Sequence, residues 1–307
     1  MSSLSVFQPI PTAIQRAKRI LFEPFQLSKW LTLGFCAFLM GPTLPIAPFG
    51  GGDASIDSSS GSGQGTTDTF TPWLQENLAT ILVVAAIAAA VVFSLAVLLT
   101  WLSSRARFML LAGVVQNRGA LGVPWREYRR EGNSLFRFRF LLGLISTLAL
   151  TMIVGMVLLI NRGDWREGVF SVRALAVMVV ASFLFVAWLL LMQLITMLLM
   201  DFVVPVMYVH RLPVLPAGKR VIKTLLREHP GSLALYLLAR FLLNSVLATL
   251  SMLLIVLTCF IGAIPYIGSV ILLPLTIFQI TYPLAFLEQL GPEWRILPPD
   301  RQALEAS

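Results

Sequence analysis

The chain has 307 residues, 57% of them hydrophobic and only 12% charged, with a formal net charge of +8. A soluble domain carries about 25% charged and about 45–50% apolar residues, so this composition excludes an ordinary globular domain and points to a bilayer. The two cysteines, Cys36 and Cys259, both fall in apolar stretches, which excludes a disulfide framework and reads as small buried hydrophobes.

The N-terminal segment 1–29 contains Arg16, Lys18, Arg19 and Lys29, with no apolar run and small-residue cleavage site of the kind a signal peptide needs. Ile14, Ala17, Leu21 and Phe25 recur at helical spacing with basic residues opposite them, which predicts a cytoplasmic interfacial helix lying on the membrane. A first span over Trp30–Ile46 follows. Pro42, Pro45 and Pro48 crowd its far end, so it exits early or partly re-enters.

Residues 50–71 are Gly/Ser-rich and hold Asp53, Asp57 and Asp68 but nothing to build a core. They read as a flexible external loop. The three glycines at 50–52 lack the lysine and the strand–helix context of a phosphate-binding loop. Five further apolar stretches are long enough to cross a bilayer core of roughly 30 Å. They are Leu78–Leu102, Phe140–Ile160, Ala174–Met200, one within Leu233–Ile261 and one within Ile264–Leu287. Gly262–Gly268 reads as a tight, uncharged hairpin turn at the far face.

The Lys and Arg residues divide sharply between the connections. The N-terminal segment has four, residues 103–139 have eight, residues 210–231 have five with Arg240 just beyond, and the tail 288–307 has two. The opposite connections hold only three, all between Asn161 and Arg173, so twenty of 23 fall on one side. Basic residues mark the cytoplasmic face. The expectation is a single all-α, polytopic membrane domain over 1–307 with six transmembrane helices, amphipathic interfacial elbows and both termini in the cytoplasm of a bacterial inner membrane.

The basic cytoplasmic connections, 103–139 and 201–231, carry the most unusual sequence. In the first, Trp125, Tyr128, Phe136 and Phe138 alternate with Arg126, Arg129, Arg130, Arg137 and Arg139. In a soluble chain this would point to RNA. Beside two spans it reads as an interfacial belt, with rings at headgroup depth and guanidinium groups on phosphate, and no nucleic acid. In the second, Ala217, Val221 and Leu225 mark one helix face while Lys219, Arg220, Lys223 and Arg227 crowd the other, which predicts a helix lying flat on the membrane. Each connection runs from a long span through Phe108 or Phe202, past Arg118 or Arg211 and a proline, into a basic helix. The pattern fits an internal span–elbow–span repeat, and fits two independent elbows equally.

At WLSSRxRFMxLxxVVxNR (101–118) and PWREYRxxGNSLFxFR (124–139) the chain resembles a family of bacterial multi-pass membrane proteins with no assigned activity. Its architecture is more loosely similar to the membrane domain attached to some bacterial glycerophosphodiester phosphodiesterases, without their catalytic domain. These resemblances imply membrane location and fold, not catalysis.

The catalytic inventory is thin: two histidines (His210 and His229), no HExxH, no Cys cluster and no GxSxG. The expectation is no enzyme, no metal and no cofactor. Polar groups in or beside the spans, which are expensive there, are the candidates for function. Asp201 ends the fourth span and Arg240 begins the fifth; a pair between them either braces the helices or closes a cytoplasmic gate. Gln193, Asn244 and Gln279 lie deeper and either bond helix to helix or line a polar path. Pro265, Pro274 and Pro283 kink the sixth stretch. Ala86, Ala90 and Ser94 form a small-residue stripe that invites close approach of another helix. Arg126, Arg129, Arg130, Arg137, Arg139, Lys219, Arg220 and Lys223 are the expected contacts to anionic lipid headgroups or a partner. That partner is a cytoplasmic protein or a second copy of the chain. The leading expectation is a transport-related or permease-like component; the alternative is a non-transporting membrane scaffold or lipid-interacting accessory protein.

Overall fold

The computed structural model describes residues 5–23, 25–41, 67–117, 119, 122–163, 171–228 and 230–296. The described regular elements are all helical. Helix α1 (Pro9–Phe22) begins with a proline in its first turn, where a missing N–H is no loss. It is followed by α2 (Leu27–Met40), the 50-residue α3 (Thr67–Gln116), the short α4 (Gly122–Glu127) and α5 (Arg129–Ile160). Helix α6 (Val172–Leu198) is capped by Ser171, whose hydroxyl accepts the Ala174 N–H at 3.1 Å. It continues through a π-helical turn (Leu199–Val203) into α7 (Val204–His210). The basic helix α8 (Val214–Val221) extends as a second π-helical segment, Ile222–Glu228. Then come α9 (Pro230–Leu257), α10 (Pro265–Ile271) and α11 (Leu273–Leu287).

Among the described residues, four runs are long and apolar enough to cross a membrane: Ala79–Gln116, Arg129–Ile160, Val172–His210 and Pro230–Leu257. They correspond to the expected second to fifth spans. The first expected span is the 14-residue α2 as far as Met40, roughly 21 Å at 1.5 Å per residue. The sixth is divided at Leu272 into α10 and α11. Proline explains the division: Pro265 and Pro274 occupy first turns, the positions that tolerate a missing N–H. Pro283 stays inside α11.

The long helices have two kinds of surface. In the most apolar window of each of the first three spans no residue is buried, and in the fourth only 22% is. Ala86, Ala90 and Ser94 are exposed there, so among the described residues no helix packs on the small-residue stripe. At one end the same helices enter a packed head. Ser103 to Val114 is buried except for Arg107, and Asp201 to Tyr208 and Thr281 to Leu287 are buried without a break. The chain is thus a set of apolar legs leaving one head.

Helix α1 belongs to the head. It packs on α11, with Thr281 Oγ1 donating to the Ala13 carbonyl (3.4 Å), Tyr282 OH to the Val6 carbonyl (3.3 Å), and Arg16 paired with Glu288 at 2.9 Å. Ala17 and Leu21 lie on the buried face as expected, but Ile14 and Phe25 are exposed, because that face is set by Ala13, Ala17 and Ile20 against protein. The buried Lys29 donates to the Ile20 carbonyl at the end of α1 and to the Asn117 side chain just beyond α3, a cation where two helices expose carbonyl ends. The apolar face of α8 also meets protein: Ala217, Val221 and Leu225 are buried in the same core.

The turn between α9 and α10 closes tightly. The Cys259 N–H reaches the Val256 carbonyl (3.0 Å) and the Phe260 N–H the Ile255 carbonyl (2.9 Å), with φ of 51° and 64°, a Schellman-type ending built without glycine. Cys259 is exposed there, so the expected burial holds only for Cys36. The external segment 50–71 lies outside the described residues as far as 66, and 67–71 are in α3. Residues 164–170, Arg118, His229 and the tail from 297 also lie outside them.

Gly268 has a specific reason to be glycine: a Cβ there would stand 2.0 Å from the Gly262 carbonyl oxygen. Gly268→Ala is expected to lower the thermal unfolding temperature in detergent by an amount equivalent to about 1–3 kcal/mol of overpacking. Gly143→Ala, which meets open space, should leave it unchanged.

Candidate functional site at the junction of spans and head

The site is built where α6 departs from α-helical geometry. Pro205 has no N–H for the Asp201 carbonyl, and its ring would clash with that oxygen. The helix widens instead, the Val204 N–H bonding the Leu199 carbonyl. Single π-helical turns of this kind are common at functional sites. Asp201 sits in this turn, buried, and meets two residues one helical turn apart on α9. Arg240 contributes Nε at 2.9 Å from Oδ2 and Nη2 donating to Oδ1 at 3.2 Å; Tyr236 OH donates to Oδ2 at 3.0 Å. The expected Asp201–Arg240 pair therefore forms. The guanidinium thus faces both carboxylate oxygens, with one charge-assisted hydrogen bond from Nη2 and an ion-pair contact from Nε.

Aromatic rings enclose the pair. Phe202 lies 4.7 Å from Tyr236, Phe286 4.6 Å from Tyr236, and Tyr282 stacks on Tyr236 at 5.6 Å and 13°. The polar contact joins the π turn to α9, and the rings, which come from the π turn, α9 and α11, add a third element to the same junction.

More positive charge borders this site than Asp201 balances. Arg107 on α3 lies within electrostatic range of Asp201, Arg240 and Arg139, and its Nε is shut off from solvent without a hydrogen bond. Arg139 on α5 turns inward, donating to Ser103 Oγ at 2.8 Å and Ser104 Oγ at 3.4 Å. Arg105 stacks on Trp101 and Trp125 (4.3 and 4.9 Å to the ring centroids) and donates to Asn133 Oδ1 at 3.0 Å. Each of these charged residues marks the point where its helix leaves the head for an apolar leg.

A second cluster locks the two basic connections together. Phe108, Tyr128 and Tyr208 form a stack with centroids 6.1 and 4.8 Å apart. Arg211 covers it at 4.0 Å, pairs with Glu127 and donates to Tyr128 OH at 3.1 Å. The Val214 N–H adds a bond to Ser134 Oγ at 3.1 Å. Burial, then hydrogen bonding to Tyr208, pushes the Tyr128 phenol well above its ordinary value. Burial alone would lower Arg211, but its hydrogen bond to Glu127 and the neighbouring negative groups prevail and raise it. Both groups keep their protons throughout the physiological range.

The other expected residues divide. Arg126, Arg129, Arg130, Arg137, Lys219 and Lys223 are exposed on the head. Arg220 is tied to Glu293 at 2.8 Å. Gln193, Asn244 and Gln279 are half-buried, and among the described residues no hydrogen bond joins any of them to another. Arg107, Tyr236 and Tyr282 were not singled out from the sequence. The i, i+4 spacing of Tyr236 and Arg240 was the available signal, together with an arginine next to a span in SSRAR.

The chain belongs to a family of unknown function, DUF7544, whose model matches residues 4–291. No curated protein and no solved structure matches it.

Removing one partner of a buried ion pair leaves the other charge uncompensated, at roughly 3–5 kcal/mol. Asp201→Asn is expected to destabilise the protein by about 3 kcal/mol in detergent thermal unfolding. The double substitution Asp201→Leu with Arg240→Met, which removes both charges, should recover most of that loss.

Proposed function

We propose that this is a six-pass protein of the bacterial cytoplasmic membrane, acting as a non-transporting, lipid-interacting accessory protein through its basic head. In this reading α2 and the α10–α11 pair are shorter first and sixth crossings, and both termini lie in the cytoplasm. The asymmetry of the Lys and Arg residues supports that orientation.

The observation that carries the functional reading is the confinement of linked polar groups to the head. The Asp201, Arg139, Arg105 and Arg211 contacts all lie at or inside the junction, whereas Gln193, Asn244 and Gln279 are not linked into a path along the legs. Helices α6 and α9 do not pack along their lengths, so no continuous interface between them is available to carry a polar solute. Exposed Arg126, Arg129, Arg130 and Arg137 face outward beside the spans, where each basic group near an anionic surface contributes about 1 kcal/mol.

A permease-like role is the second reading. It is favoured by the division of α10 from α11 at Leu272, since broken helices often form transport sites. In that case the exposed arginines dock a cytoplasmic protein.

Mass spectrometry of the tagged protein, purified from native membranes in mild detergent with its lipids, separates the readings. Enrichment of anionic phospholipid over the bulk membrane is expected, reduced when Arg126, Arg129, Arg130 and Arg137 are changed together to Gln. A stoichiometric cytoplasmic ATPase with no lipid enrichment would overturn the lipid-interacting role in favour of the permease.

A further inference from the structure

We infer that Arg107, Arg139 and the free edge of Arg240 form a phosphate-binding site, whose ligand is the phosphate of an anionic phospholipid headgroup. The inference rests on the lipid-interacting reading and names its specific site.

Arg139, Arg240 and Asp201 each lie within electrostatic range of Arg107. Asp201 is already engaged by both oxygens with Arg240 and Tyr236, so Arg240 is neutralised and the charges of Arg107 and Arg139 are not. Three buried donors in this cluster have no hydrogen-bond partner among the described residues: Arg107 Nε, Arg240 Nη1 and Arg240 Nε, the last facing Asp201 Oδ2 as an ion-pair contact only. An enclosed charged donor without a partner is unfavourable, and an anion with several acceptor oxygens relieves two or three such donors together. Arg139 is already oriented by the Ser103 and Ser104 hydroxyls.

Depth selects the source of the phosphate. Met200 precedes Asp201, Phe140 follows Arg139, Phe241 follows Arg240, and the apolar run of α3 ends just before Arg105. The cluster therefore lies where hydrocarbon gives way to headgroups, the level at which a lipid phosphate arrives with its acyl chains along the exposed legs. Those legs offer the chains an apolar surface, since the spans are unburied on their most apolar windows.

The test uses the full chain in nanodiscs of phosphatidylcholine containing a minor fraction of phosphatidylglycerol, with retained lipid counted by native mass spectrometry after release into detergent. Wild type is expected to retain phosphatidylglycerol in preference to phosphatidylcholine. Arg107→Gln should reduce that preference about tenfold, the scale of one charged hydrogen bond. Arg139→Gln is a second, independent variant, and only monodisperse protein is scored, so loss of fold does not imitate loss of binding.

Inorganic phosphate alone supplies the other arm. If it raises the unfolding temperature of delipidated wild type but not of Arg107→Gln, while no lipid preference is seen, the site takes free phosphate and the lipid assignment is overturned. Unchanged lipid preference in both variants, with loss in the fourfold variant of Arg126, Arg129, Arg130 and Arg137, would overturn this site and leave the general lipid reading intact. No preference in wild type, and no effect of phosphate, would overturn both.

Discussion

The ion pair between Asp201 and Arg240 is the constraint on which the rest of the head depends. Asp201 is held in a π-helical turn at the end of α6, and Arg240 and Tyr236 reach it from α9. The rings around the pair bring in α11, and α11 carries α1. A carboxylate taken from water is tolerated only when its charge and its lone pairs are both met. Here they are met by one guanidinium and one phenol from a single helix face. That requirement fixes how α9, which has little lateral packing elsewhere, sits against the end of α6.

The proposed membrane location explains the two kinds of surface as the work of two solvents. Along the legs, lipid tails are as apolar as the side chains, so no hydrophobic force drives helices together and large residues such as Leu82, Phe93 and Phe183 remain uncovered by protein. Within the head the rules of a soluble core return. Rings stack, small residues such as Ala13 and Ala217 admit close helices, and ion pairs tie elements distant in sequence. The amphipathic faces of α1 and α8 are thereby spent on protein rather than membrane, leaving their basic sides outward.

That the chain is helical, with four described runs long and apolar enough to cross a membrane, was legible from hydropathy alone, because a long apolar run has few alternatives to a helix in a bilayer. Asp201 and Arg240 were legible as opposite charges at the ends of adjacent spans, the placement that a pair needs, while the pairing itself is seen in the structure. The apolar face of α8 was read correctly, but whether it met lipid or protein was not in the periodicity, which reports a buried face and not what buries it. Proline spacing showed that the sixth stretch would bend; that it divides at Leu272 depended on which prolines found helix starts. Arg139 looked like its neighbours in an arginine-rich run, and only the hydroxyls of Ser103 and Ser104 on another helix turn it inward.

The chain's choice of basic residue follows the same physics. It holds 19 arginines and four lysines, and residues 103–139 contain eight arginines and no lysine. An ammonium is a strongly hydrated point charge, whereas guanidinium is more weakly hydrated, planar and rich in donors. It can therefore pack against both Trp101 and Trp125, cover Tyr128, or face both oxygens of Asp201 while withdrawn from water. Lys29 is the buried lysine of the head, and it occupies a different environment, the carbonyl-lined end of a helix where a compact donor fits. At the junction a cation must be flat enough to stack and forked enough to bind an oxyanion, and arginine is the side chain that meets both conditions.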